Sequence, residues 1–317
     1  MSSLLVYMPA LNEAETIASV LNSVPKKIAG FTKVDLLVIN DGSTDNTEKE
    51  ALNAGAHVIN HKTNKGVGMA FQTAVNYALK VKATIIVSID ADGQFDVNQI
   101  QEMVAPIVNK EADFCIGNRF HGIKPQNMPS IKYFGNKKVN SIVSFICKEK
   151  IEDASCGFRA YSKNALINLN LLGDFTYTHE TILDLINKGF IVKQIPVKVT
   201  YFENRVSRVA NNVIAYGFKT SKIILKCFRN YKPFYFFGGI ALFFFSIALF
   251  LGIFVFIHWL STGYITPYKS LGILSLILFL TSILFLVLAL LADMLGGIRQ
   301  NQEKILLLTK LRLYDRD

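Results

Sequence analysis

The residues with the most chemistry in the smallest space are Asp90, Asp92 and Gln94, within "IIVSIDADGQ" at 85–94. An apolar, β-favouring run ends in two carboxylates one residue apart, then a glycine and an amide. On a strand Asp90 and Asp92 share a face, and at a strand end both can turn toward one point. Like charges so placed repel unless something positive lies between them. Two carboxylates and an amide oxygen suit a hard divalent ion, Mg2+ or Mn2+, with phosphate or water filling the remaining positions. The same residues also read as a plain turn whose aspartate opens a helix at 96–110, because Asp and Gly favour turns.

A second acidic turn, "NDGSTDNT" at 40–47, raises the weight of the metal reading. In it Asp45 is placed to cap the following helix. Asp41 stands at a strand end, where it can accept a hydrogen bond from a base N–H. "PALNE" at 9–13 presents backbone and Glu13 to a ribose, and "NKGVGMA" at 64–70 sets Lys65 beside glycines that let backbone approach a ligand. That glycine segment matches neither the dinucleotide fingerprint nor a P-loop.

These clusters need a frame. Residues 3–8, 34–39, 56–60, 83–89 and 112–117 read as strands, and 13–23, 46–54 and 67–80 as helices. Such alternation predicts an α/β fold, a mostly parallel sheet with helices on both faces. Ligands bind such sheets beyond the carboxyl ends of the strands. "PALNE", "NDGSTD", "DADGQ" and "GNRF" all follow strands, so one edge gathers them. Residues 191–202 alternate as a further strand, with Pro196 marking an edge or a bend.

Of the 317 residues, 51% are hydrophobic and the mean hydropathy is +0.31, with the excess falling after Pro233. The chain therefore divides into a polar domain and an anchor. Residues 234–257 and 270–292 carry no charge and are long enough to span a bilayer. Lys219, Lys222, Lys226, Arg229 and Lys232 precede the first span, and Arg299, Lys304, Lys310, Arg312 and Arg316 follow the second. The positive-inside rule then puts both flanks in the cytosol. The expected organisation is a cytosolic domain at 1–208, a basic amphipathic interfacial helix at 209–232, a two-helix hairpin at 233–295 and a cytosolic basic tail at 296–317. Both termini are expected in the cytosol.

The net charge of +10 sits largely beside the spans, and no nucleic-acid-binding pattern accompanies it, so no nucleic acid is expected as a partner. Four scattered cysteines without a C-x-x-C pair point to a reducing compartment and to neither disulfides nor zinc. The N-terminus carries no basic n-region or cleavage site, so no signal peptide is expected. Gly238 and Gly239 in the first span leave a homo-oligomer open. His57 and His61 flank a strand and read as packing, His179 and Glu180 as structural or supporting residues, and Arg159 as either a site residue or a surface ion pair.

The ordered set P-A-L-N-E, N-D-G-S-T-D, N-K-G-x-G, D-A-D-G-Q, G-N-R-F and C-G-F-R-A resembles family 2 glycosyltransferases of the GT-A fold. More narrowly it is similar to the dolichyl- and polyprenyl-phosphate sugar synthases, over roughly residues 1–230. The resemblance implies that Asp41 and the 9–13 loop (Pro9, Asn12, Glu13) with Lys65 hold a nucleotide-sugar, UDP- or GDP-linked. It implies that Asp90, Asp92 and Gln94 hold the metal on its diphosphate, and that Arg119 binds the acceptor phosphate. "ENRVSRV" at 203–209 is similar to the family's R-x-x-G-x-S-K region, but the glycine is missing and Arg208 takes the basic position; the resemblance implies Arg205, Ser207 and Arg208 as further ligands of the acceptor phosphate. Asp153, before C-G-F-R-A, reads equally as an organiser of the site or as structure.

The implied reaction is an inverting, metal-dependent transfer to a membrane polyprenyl or dolichyl phosphate. An anionic acceptor needs no strong general base, and the chain lacks the E-D pair that hydroxyl-directed relatives carry. Two alternatives stand beside this: transfer to a hydroxyl of a lipid or lipid-linked glycan, and an inactive scaffold that binds a nucleotide or a partner.

Overall fold

A computed structural model describes residues 2–121, 125, 128, 130–171, 177–201, 221–222, 225, 228–229 and 232–314. The chain forms two compact units, residues 1–224 with 307–317, and residues 225–306.

The first unit starts from short apolar runs that are buried on both faces. β1 (Ser3–Ala10), β2 (Lys33–Asn40), β3 (His57–Asn60) and β4 (Ile85–Ser88) pair in parallel in the order β3-β2-β1-β4. Leu4, Val6, Leu37, Val38, Ile86 and Val87 have no solvent exposure. Such pairing requires crossovers, which α1 (Ile17–Ser23), α2 (Thr47–Asn53) and α3 (Val67–Lys80) supply. α3 buries Ala70, Phe71, Ala74, Ala78 and Leu79, one stripe at helical spacing.

The second half of the sheet is mixed. α4 (Ile100–Val108) leads to β5 (Phe114–Asn118), which does not pair with β4. The space between them is taken by β6 (Arg159–Ser162), antiparallel to both. β7 (Val192–Pro196) closes the sheet beside β5, in parallel and at its edge, where Pro196 costs no ladder bond. Six of seven strands thus run one way, as the sequence predicts. The short β6, "RAYS", carries no alternation and was not foreseen. α5 (Ser130–Cys147) fills the excursion between β5 and β6, and α6 (Lys163–Asn168) and α7 (Thr178–Asn187) follow.

The expected helix at 13–23 begins only at Ile17, because Asn12 adopts a left-handed φ of 53° and residues 11–16 form turns. The expected strand at 191–202 ends at Pro196 and continues only as a bridge between Val199 and Phe95.

The second unit is built from two apolar helices, Pro233–Thr262 and Lys269–Tyr314, each long and apolar enough to cross a membrane. They extend beyond the expected spans, and the second runs without a break into the expected tail. Gly263, at φ 74°, ends the first helix as a left-handed cap. Ser275 Oγ donates to Ala248 O at 2.8 Å, and a Cβ on Gly252 would meet that Oγ at 3.0 Å. Small residues thus allow the two backbones to approach, as in membrane helix pairs. Most of 209–232 lies outside the described residues.

Candidate active site

β1 and β4 are neighbours, yet the chain leaves β1 toward β2 and β3 and returns through α3 to β4. In open α/β sheets such a reversal is where ligands bind, beyond the carboxyl ends of the strands. The polar clusters stand at that edge, after β1, β2 and β4.

The first of these is a set of interlocked loops. Asn12 N–H donates to Ser43 Oγ (2.9 Å), and Asn12 Oδ1 accepts from Thr44 N (2.8 Å), so the β1 loop is latched to the β2 loop. Glu13 N donates to Thr47 Oγ1 (2.8 Å), and Glu13 Oε2 accepts from Thr16 Oγ1 (3.1 Å). Thr16 Oγ1 also lies 3.0 Å from Ala91 O, tying this loop to the carboxylate turn. Pro9 lies within β1, opposite Ile39. Gly42 has φ 78°, and a Cβ there would stand 2.7 Å from the backbone of Thr63 and Asn64.

Asp41 is 5% exposed and organises the 61–66 loop. Its Oδ1 accepts from Lys65 N (2.9 Å) and lies 2.7 Å from His61 Nδ1, while Oδ2 accepts from Gly66 N (2.8 Å). His61 Nε2 lies 3.0 Å from Thr73 Oγ1 on α3. The reading of His61 as mere packing is therefore corrected: it orients Asp41. His57 does pack, stacked on Tyr77 with centroids 4.8 Å apart. Lys65 meets Asp41 through its backbone, and the residue itself is exposed.

The carboxylate turn follows β4. Gly93 takes φ 72°, and Asp92 Oδ1 accepts from Gln94 N at 3.0 Å. Gln94 O accepts from Thr200 N at 2.9 Å, which brings the strip after β7 over the turn. Asp90 is seated against Gly157: a Cβ there would stand 3.0 Å from both of its carboxylate oxygens. A larger residue there would press the carboxylate out of this seat. Tyr7 is buried, its hydroxyl without a hydrogen-bond partner among the described residues, and burial first, then Tyr177, Asp90 and Asp41, holds its pKa well above the ordinary value.

Arg119 follows β5. Its Nε donates to Asp153 Oδ2 (2.7 Å) and its Nη2 to Oδ1 (2.8 Å), a two-point grip on a carboxylate with no exposure. Arg119 N–H reaches the same Oδ2 at 3.1 Å, and Nη1 lies 3.3 Å from Tyr201 Oη. Burial opposes the charged guanidinium, but the charge and hydrogen bonds of Asp153 outweigh it and raise the Arg119 pKa well above its ordinary value. Asp153 thus fixes both the guanidinium and the backbone N–H of Arg119.

Arg159 is corrected as well. It is no surface ion pair but fully buried, donating to Cys156 O (2.8 Å), Ala154 O (2.8 Å), Thr178 O (2.7 Å) and Thr181 Oγ1 (2.8 Å). It knits α7 to the 153–159 strip, so one strip carries both the partner of Arg119 and the seat of Asp90. His179 lies 3.2 Å from Ser155 Oγ; burial, aided by Arg159, pushes its pKa down to about 3. It is neutral at ordinary pH and has no exposure.

Of the site residues expected, Asp90, Asp92 and Gln94 share one turn, and the 153–159 strip joins that turn to Arg119. Pro9, Asn12, Glu13, Asp41 and Lys65 belong to the latched loops. Arg205, Ser207 and Arg208 lie outside the described residues. Among the described residues no group of three or more acidic, His or Cys side chains surrounds a metal position. Two carboxylates and an amide oxygen remain a fitting partial shell for a hard divalent ion whose other ligands come from a diphosphate and water. The glycine cradle at Asp90 is the local observation in favour of that fit.

The glycosyl transferase family 2 pattern matches residues 5–169, more than half of the chain. The chain belongs to this family. Among its relatives is the glycosyltransferase AglJ of Haloferax volcanii, 27% identical over 94% of this chain and 95% of that protein. The UDP-N-acetylglucosamine–dolichyl-phosphate N-acetylglucosaminyltransferase of Methanococcus voltae is 29% identical over 69% of this chain and 94% of that protein. The fold matches glucosyl-3-phosphoglycerate synthase from Mycobacterium tuberculosis, solved with Mn2+, UDP-glucose and phosphoglyceric acid, with a TM-score of 0.57 at 20% identity over 71% of this chain and 79% of that one. That likeness establishes the GT-A-like fold of the family 2 member. The chain is a glycosyltransferase related to dolichyl-phosphate sugar transferases.

Proposed function

We propose that this family 2 glycosyltransferase moves one monosaccharide from a UDP- or GDP-sugar to a polyprenyl or dolichyl phosphate in the membrane, with inversion. The observation that carries the reading is Arg119 clamped by buried Asp153 at the sheet edge that also holds Asp90 and Asp92. A guanidinium fixed in this way presents planar donors to a phosphate.

In this reading a phosphate oxygen of the acceptor attacks the anomeric carbon, the bond from that carbon to the donor diphosphate breaks, and a nucleoside diphosphate leaves. The phosphate is already anionic, so no side chain has to remove a proton. Neutral, buried His179 fits that economy, since it is no base for a hydroxyl. Asp90, Asp92 and Gln94 would hold Mg2+ or Mn2+, which stabilises the leaving diphosphate. The latched loops with Asp41 would hold the nucleoside. Arg205, Ser207 and Arg208 would complete the acceptor phosphate site.

The two apolar helices would anchor the chain, with residues 1–208 and the basic tail at 296–317 in the cytosol and 209–232 lying on the leaflet. Digestion of the 1–208 domain by protease in inverted vesicles, and its survival in right-side-out vesicles, checks the orientation. The reaction is tested by incubating purified protein with Mn2+, polyprenyl phosphate and a panel of radiolabelled UDP- and GDP-sugars. Mild-acid-labile label in the organic phase from one donor is the expected result. A folded protein that labels no lipid phosphate but labels a lipid hydroxyl would overturn the reading.

A further inference from the structure

The strip after β7 is pinned between the two halves of the site. Val197 N donates to Asn118 O at 3.1 Å, beside Arg119, and Lys198 N donates to Gln99 Oε1 at 2.7 Å. Val199 bridges to Phe95, and Thr200 N donates to Gln94 O at 2.9 Å. Four consecutive residues are thus tied either to the end of β5 or to the segment that follows the carboxylates. The next residue, Tyr201, is delivered to Arg119, whose Nη1 donates to Tyr201 Oη at 3.3 Å.

The donors of Arg119 can be counted. A guanidinium has five N–H groups. Asp153 takes one on Nε and one on Nη2, and Tyr201 takes one on Nη1. Among the described residues, that leaves one N–H on Nη1 and one on Nη2 for a ligand. A hydroxyl that accepts from a guanidinium turns its own proton away from it. Burial raises the Tyr201 pKa although Arg119 opposes the shift, so the phenol is a proton donor at neutral pH. Both residues are half-buried, so a ligand at the sheet edge can reach them. Two N–H groups and one O–H therefore meet at one place. A phosphate monoester offers three terminal oxygens to such a set. A phosphodiester, the form of most bilayer headgroups, offers two and carries less charge.

We propose that Tyr201 is a ligand of the acceptor phosphate, giving its O–H to one terminal oxygen while Arg119 takes the other two, and that it selects a phosphate monoester over a diester. The inference rests on the reading of the protein as a lipid-phosphate transferase and adds a specificity residue to it. The test is calorimetry on full-length protein in detergent, with geranyl phosphate and its methyl diester as probes, with and without saturating Mn2+ and UDP or GDP. The unaltered protein should prefer the monoester. Tyr201→Phe should weaken geranyl phosphate by about 10–100-fold, the range of one hydrogen bond to a charged group. It should leave the methyl diester nearly unchanged, so the preference narrows by the same factor, and UDP and GDP should bind as before. A tyrosine that only supports the fold would weaken both esters alike, and that outcome overturns the inference. So does equal binding of geranyl phosphate by the two proteins, or a loss confined to UDP or GDP, which would put Tyr201 on the donor diphosphate. In each of these cases, binding of geranyl phosphate by the unaltered protein leaves the acceptor reading standing; no such binding under any condition overturns both. If Tyr201→Phe lowers the melting temperature, the answer comes from protein in which Tyr201 is replaced by 3-fluorotyrosine. Its fluorine resonance should move further with geranyl phosphate than with the methyl diester, and equal shifts overturn the proposal.

Discussion

Gly157→Ala isolates the seat of Asp90. The backbone of Gly157 lies outside the left-handed region, so alanine fits it without strain. The added Cβ meets both Asp90 oxygens at 3.0 Å and the carboxyl carbon at 3.3 Å. Ordinary contact begins at 3.4 Å, so the carboxylate must withdraw by about 0.4 Å (3.4 − 3.0). Metal–oxygen distances in well-formed sites lie within about 0.2 Å of their standard values, so a displacement of this size takes the oxygen out of range. The expected outcome is a loss of about 10–100-fold in apparent affinity for Mn2+, the range seen when a group supporting a ligand is disturbed. Thermal unfolding should change little, because the side chain that moves is a partly exposed carboxylate. The assay is sugar transfer titrated with Mn2+ at saturating donor and acceptor, paired with a melting curve of the same preparation. Unaltered Mn2+ dependence in a folded variant would refute the placement of the metal at Asp90. A melt lowered as far as that of a core variant would refute the claim that Gly157 serves the carboxylate rather than the fold.

The other expectations concern the supports of the site. Asp153→Asn leaves a buried guanidinium without its countercharge and should cost about 3–5 kcal/mol of stability; in surviving protein KM for the lipid acceptor should rise while donor binding, read by calorimetry, holds. Gly42→Ala combines a left-handed backbone with a 2.7 Å clash against the backbone of residues 63–64, and should lose at least about 2 kcal/mol in denaturant unfolding. His179 has a folded pKa near 3, below its unfolded value of 6.5. The unfolded chain therefore binds the extra proton between those values, and stability is lost as pH falls through that window, at up to about 1.4 kcal/mol per pH unit. His179→Gln should flatten that part of the acid unfolding curve, and an unchanged slope would count against the assignment.

The parallel half of the sheet was legible because its strands are short apolar runs and its site residues sit in the turns just after them. "PALNE", "NDGSTD" and "DADGQ" could be placed at one edge from strand direction alone. The other half was not legible in the same way. β6 pairs with β4 between residues that lie 71 apart in the chain at Ser88 and Arg159 and 77 apart at Ile85 and Ser162, and four residues containing an arginine give no period. His61 and Asp41 are 20 residues apart and Gly157 and Asp90 are 67 apart (157 − 90), so contacts that fix the carboxylates arise only from the closed sheet. Arg159 was misjudged because an arginine alone signals the surface. Only the ring of backbone carbonyls that receives it, which no pattern announces, makes its burial tolerable.

The late insertion of β6 also orders the making of the protein on the ribosome. When residue 88 has emerged, β1 to β4 can already pair, but β4 keeps an open edge until residues 159–162 follow. At about 5–20 residues per second, that edge waits for several seconds, and the strip that unites Asp90 with Arg119 arrives in the same event. The apolar helices emerge only after this closure, so the sheet can be complete before the membrane captures the chain. Nascent chains halted shortly before residue 159 should stay protease-sensitive after β4, whereas chains halted with residues 159–196 exposed should yield a resistant domain.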